Sequence, residues 1–151
     1  MEFKSYKVIK GVDVVDGKVV GSYLINRVSG NRIEHNGAEF GVSYFIKSGI
    51  MRKKAYFDSS DATVICENDR GLEFAVTKNG IDWKVFVEYV EDEISGVLRK
   101  FITIKASDSN VKIDYIQLDG FSTFGPAGVH DGALPAEYAG LLRPGEQNGP
   151  D

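Results

Sequence analysis

Few residues in this chain have the type and spacing that chemistry requires. His130-Asp131, with Glu137 nearby, brings an imidazole and two carboxylates into one short stretch, the raw material of an acid–base pair or a metal corner. The stretch is rich in Gly and Pro, so the primary expectation is a solvated polar loop, and the three residues are kept as carbohydrate-binding candidates. The other histidine, His35, sits in Glu34-His35-Asn36-Gly37 and is expected at a solvated hairpin tip. The acidic runs Asp58-Ser59-Ser60-Asp61 and Glu91-Asp92-Glu93 lack the glycine-shaped, six-to-eight-oxygen pattern of a calcium loop and read as charged turns. Cys66 alternates with Val64 and is expected to be a small buried side chain. The sequence contains no phosphate loop, no GxGxxG, no HExxH, no GxSxG and no zinc-spaced cysteine pair. No catalytic residue, metal site or cofactor is assigned.

Composition narrows the partners. The 151 residues are 42% hydrophobic, 26% charged and 11% aromatic, the make-up of an ordinary folded domain. Eighteen basic against 22 acidic residues leave a net charge of −4, which disfavours a nucleic-acid partner. No apolar run approaches the roughly 20 residues of a membrane helix, so no membrane partner is expected. The opening Met1-Glu2-Phe3-Lys4 lacks the apolar centre of a signal peptide, giving an expected cytoplasmic location with secretion left open.

The elements that must position any site read as strands. All four prolines fall at or after Pro126, while Gly-containing turn pairs recur before it: Asp16-Gly17, Ser29-Gly30, Asn36-Gly37, Ser48-Gly49, Asn79-Gly80 and Ser95-Gly96. Period-two alternation runs through Phe40, Val42, Tyr44 and Ile46, with Glu39, Ser43 and Lys47 on the opposite side, and through Leu72, Phe74 and Val76. The reading is all-β: a two-sheet antiparallel β-sandwich over residues 1–121, with strands near 3–10, 18–28, 38–47, 50–57, 62–67, 71–78, 81–91, 97–106 and 110–119. Residues 122–151 read as an irregular Gly/Pro-rich tail or the start of a linker, with one or two helical turns possible over Leu134 to Leu142.

One hairpin is predicted to register. Strands 81–91 and 97–106, set so that Phe86 faces Phe101, also match Asp82 with Lys105 and Glu88 with Arg99. Trp83, Val85 and Tyr89 then meet Ile104, Ile102 and Leu98 on the core face, and Lys100 opposite Val87 is the one poor match. Two phenylalanines on the charged face, beside Arg99, imply a cover, so Phe86, Phe101 and Arg99 are the predicted interface.

The stretches Glu88 to Glu93, Gly96 to Ile104 and Val111 to Ile116, with the turn Leu24 to Gly30 and the strand start Ala38-Glu39-Phe40, resemble the N-terminal β-supersandwich of α-galactosidase-like glycoside hydrolases, a fold shared with galactose mutarotases. The resemblance spans roughly residues 15–121. It implies a non-catalytic accessory domain that packs against a catalytic domain or mediates a homo-oligomer, because in those hydrolases the catalytic carboxylates lie in a following barrel. An independent carbohydrate-binding module and a small sugar epimerase built around His130 are the rival expectations.

Overall fold

A computed structural model describes residues 1–35, 37–48 and 50–119, so the tail with His130, Asp131 and Glu137 lies outside the described residues. Described residues form an all-β sandwich with no helix, built from eleven strands. The strands are β1 (Glu2–Lys4), β2 (Val8–Val15), β3 (Lys18–Asn26), β4 (Arg32–His35), β5 (Gly41–Ser48), β6 (Met51–Asp58), β7 (Thr63–Asn68), β8 (Gly71–Lys78), β9 (Ile81–Glu91), β10 (Leu98–Ala106) and β11 (Val111–Gln117). They pair antiparallel in three sheets, ordered β1-β2-β3-β4, β11-β5-β6 and β10-β9-β8-β7. The expected two sheets are thus three. Ser5 ends β1 by exchanging hydrogen bonds with Val8, and the four residues of β4 form a short strand between two turn pairs that the sequence reading assigned to loop.

Alternation decides where the core lies. Ile81, Trp83, Val85, Val87 and Tyr89 of β9 are all buried, as are Leu72, Phe74 and Val76 of β8. They face Phe40, Val42, Tyr44 and Phe57 of the β11-β5-β6 side. Trp83 lies 4.6 Å from Tyr44 and 5.1 Å from Phe57, and Phe74 meets Phe40 edge-on at 5.0 Å. The N-terminal sheet joins through Phe3, stacked on Tyr89 at 4.5 Å, and through Val64 N–H donating to the Gly17 carbonyl. At Gly71 a Cβ would lie 2.0 Å from the Val87 carbonyl oxygen, so this backbone approach requires glycine.

The predicted hairpin forms, two residues out of its predicted register. Phe86 faces Thr103 and Phe101 faces Glu88; Arg99 lies opposite Val90 and Lys105 opposite Lys84. Turn chemistry outranks charge matching here. Asp92 Oδ1 accepts the Ile94 and Ser95 amides, Gly96 takes φ 67° while its N–H donates to the Asp92 carbonyl, and the Asp92 N–H closes the loop on Val97. A shift of two keeps every side chain on its predicted face. The displaced charges find other partners: Arg99 pairs with Asp92, Lys84 with Glu73, and Asp82 accepts from Thr77.

Cys66 departs from expectation as well. An extra residue, Ile65, bulges β7 between Val64 and Cys66, which turns Cys66 to the solvent opposite Glu73. In a Cys66→Ser background, oxidation should cross-link the pair Phe86→Cys/Thr103→Cys. Phe86→Cys/Phe101→Cys, a diagonal pair, should stay reduced, as thiol titration would show.

Candidate functional site

Side chains on successive residues of β10 point to opposite faces, and each face carries a distinct candidate. The outward face holds the predicted interface. Phe101 is 49% exposed, Phe86, its diagonal neighbour on β9, is half-buried, and Arg99 lies beyond them in its ion pair with Asp92. Phe86 forms part of a shallow cleft of about 270 Å³ completed by Glu73, Lys84, Thr103 and Lys105. Lys84 Nζ lies 3.3 Å from Glu73 Oε1 across the strands, so the rim presents one paired and one additional ammonium around a ring and a hydroxyl. Such a surface offers an apolar plane edged by hydrogen-bonding groups.

The inward face leads to a cluster that the sequence reading did not assemble. Glu39, between β4 and β5, is 0% exposed. Its Oε2 accepts the Tyr89 hydroxyl at 2.6 Å and the Lys100 ammonium at 3.1 Å, and Lys10 Nζ meets Oε1 at 2.7 Å as an ion pair rather than an aligned hydrogen bond. Lys100 also donates to the Glu39 carbonyl at 2.5 Å and to Asp119 Oδ1 at 2.7 Å. Lys10 donates to Ser22 Oγ, which lies 2.7 Å from His35 Nδ1. The cluster draws Lys10, Ser22 and His35 from the first sheet, Tyr89 and Lys100 from the third, and Asp119 from the end of the second.

His35 is therefore buried in this cluster rather than solvated at a hairpin tip, because Ser22, its ladder partner on β3, holds its ring nitrogen inside. Glu39 is likewise not on a solvent face: it precedes β5, in the corner where the chain passes between sheets, and its N–H donates to Ser59 Oγ. The mismatch of Lys100 was the available signal. A lysine in the apolar phase of a strand must either carry its ammonium out to solvent along its stem or meet a buried anion.

Electrostatics in the cluster are lopsided. Burial pushes the Glu39 carboxyl up, but the Lys100 and Lys10 ammoniums with the Tyr89 hydroxyl outweigh it and bring it down to about 2. Burial, the Glu39 charge and the bond to it push the Tyr89 phenol well above its ordinary value. A cleft of about 170 Å³ opens beside these groups, lined by Val8, Lys10, Leu24, Tyr89, Leu98, Lys100 and Asp119. Among the described residues no cluster of His, Cys, Asp and Glu could hold a metal ion. The Asp58 and Asp92 runs are capped turns, with Asp58 Oδ1 accepting from Ser60 and Asp92 from Ile94 and Ser95.

No family model matches the chain, and no curated protein or solved structure matches it either.

The carboxyl titration sets a pH dependence. Glu39 is lowered in the folded state, so its contribution is complete above the unfolded value near 4.5 and is lost as pH falls toward 2. Lys10, Lys100, Tyr89 and His35 face it, and Asp119 shares Lys100. Urea denaturation at intervals between pH 7 and 2 should show Glu39→Gln less stable at neutral pH by about 3–5 kcal/mol, since Lys10 is left buried without a carboxylate and Lys100 keeps Asp119 alone. The variant's stability should also fall less steeply below pH 4.5 than the wild type's.

Proposed function

We propose that this chain is a non-catalytic β-sandwich accessory module of a carbohydrate-active enzyme, working through the outer face of the β10-β9-β8-β7 sheet as a docking surface for a catalytic domain or a second copy of itself. The observation that carries this reading is the half-exposed Phe101 diagonal to Phe86 on a sheet face that also carries Glu73, Lys84, Glu88, Arg99 and Lys105. Covering one phenylalanine is worth about 1.5–3 kcal/mol, and the charges around the rings supply the polar rim of a domain-sized contact. A sheet with a buried inner face holds that surface rigid at low entropic cost. The enzymatic context rests on the resemblance of residues 15–121 to the supersandwich domains of α-galactosidase-like hydrolases.

The cleft around Phe86 favours a second reading, a carbohydrate-binding module in which the ring lies under a pyranose and Glu73, Lys84 and Thr103 reach its hydroxyls. Sedimentation velocity across a concentration series, together with glycan-array binding, separates the two. Docking predicts concentration-dependent association that Phe86→Ser/Phe101→Ser abolishes while the sandwich stays folded, with no glycan retained. Saturable glycan binding lost in the same variant would establish the binding module instead, and a double variant that simply unfolds makes the face a second layer of core.

Hydrolysis by the chain itself is not expected. Nitrophenyl glycosides should remain intact in its presence, and turnover that disappears in Asp131→Ala or Glu137→Ala would install the enzymatic rival.

A further inference from the structure

The inward cleft of about 170 Å³ is lined by groups of two kinds, Val8, Leu24 and Leu98 being apolar and Lys10, Tyr89, Lys100 and Asp119 polar. Charge counting there is informative. The side chains of Lys10 and Lys100 are 5% and 11% exposed, and Glu39 neutralises one of the two ammoniums. The second positive charge is balanced by Asp119, whose Oδ1 lies 2.7 Å from Lys100 Nζ.

The two carboxylates are held very differently. Glu39 is fixed by Lys10, Lys100 and Tyr89 and by backbone bonds through both its N–H and its carbonyl. Asp119 lies beyond the last ladder pair of β11, Gln117 with Gly41, and its side chain is 27% exposed. Among the described residues its carboxylate meets Lys100 alone, while Gln117 Nε2 donates to its carbonyl.

We propose that this cleft binds a small monocarboxylate with a short apolar stem, its carboxylate taking the place of Asp119 on Lys100 and its stem lying against Val8, Leu24 and Leu98. A nearly buried ammonium demands a counter-charge, and exchanging one carboxylate for another never leaves it uncompensated. The displaced Asp119 side chain moves from partial exposure into water, where a carboxylate is well solvated. With Asp119 displaced, one positive charge is left to compensate, which a monoanion matches and a phosphate dianion would overcharge. Lys100 points to the side of β10 opposite Phe101, so this proposal stands apart from the outer-face reading and neither depends on the other.

Butyrate is the probe, titrated into ¹⁵N-labelled full-length chain at ionic strength held constant with chloride, with butyramide as the uncharged control. Saturable shifts are expected at the amides of Val8, Leu24, Leu98 and Lys100, with none from butyramide. Asp119→Asn removes the internal competitor and should bind butyrate about tenfold more tightly or better. Lys100→Met should lose binding. Because that variant strips a partner from Glu39 and risks unfolding, Leu24→Trp, which fills the cleft and leaves the ion pairs intact, should weaken binding at least about tenfold. Shifts no larger than those from chloride, equal binding of butyramide, no gain in Asp119→Asn, or undiminished binding in a folded Leu24→Trp would each overturn the proposal.

Discussion

A carboxylate taken wholly out of water at the junction of three sheets is the constraint around which this sandwich is arranged. An uncompensated buried charge costs several kcal/mol even after relaxation, so Glu39 can exist there only if cations and donors arrive with it. They come from distant parts of the sequence: Lys10 from β2, Tyr89 from β9 and Lys100 from β10. None of these strands can slip by one residue without turning its cluster side chain outward and leaving the carboxylate unmatched. A two-residue slip would keep apolar side chains on the core face but would carry a lysine about 7 Å from its carboxylate, so the ion network excludes slips that hydrophobic contact allows. Removing any one member leaves the others buried and incompletely compensated, so the network acts as a unit.

The apolar core complements this network. Trp83, Tyr44, Phe57, Phe40 and Phe74 interlock between two facing sheets, with rings tilted or edge-on rather than flatly stacked. The charged cluster lies at the end of the β9 row, where Tyr89 brings a ring to Phe3 and a hydroxyl to Glu39. One side chain thereby joins the apolar packing of the N-terminal sheet to the ionic junction.

Much of this architecture was legible in the sequence because it is written in period two. The buried face of β9, the strand spans from β5 to β11 and the turns at Asn26 to Gly30 and Asp92 to Gly96 follow from alternation and from Asn, Asp and Gly chemistry. What escaped depends on information alternation does not carry. β4 is too short and polar to show a period, and its pairing with β3 is what places His35 inside. The Ile65 bulge inverts the phase of β7, and hairpin register followed the capped loop rather than the cross-strand charges. Glu39 looked like an outward strand residue because its neighbours Phe40 and Val42 alternate correctly, yet the chain is turning between sheets at that point. Of the candidate site residues, Phe86, Phe101 and Arg99 fall on one face as their phase required. His130, Asp131 and Glu137 lie outside the described residues.

Strand β10 shows how one short segment can serve two surfaces. Arg99, Phe101, Thr103 and Lys105 project outward, while Lys100, Ile102 and Ile104 project toward the core. Among the described residues it is also a sheet edge, its backbone paired to β9 on one side, and its inner residues stay partly exposed. An edge strand is ordinarily the least constrained part of a sheet. Here Lys100 anchors it to Glu39 and to Asp119, which follows β11, and thereby ties this edge to that of the facing sheet where no ladder pairs the two strands.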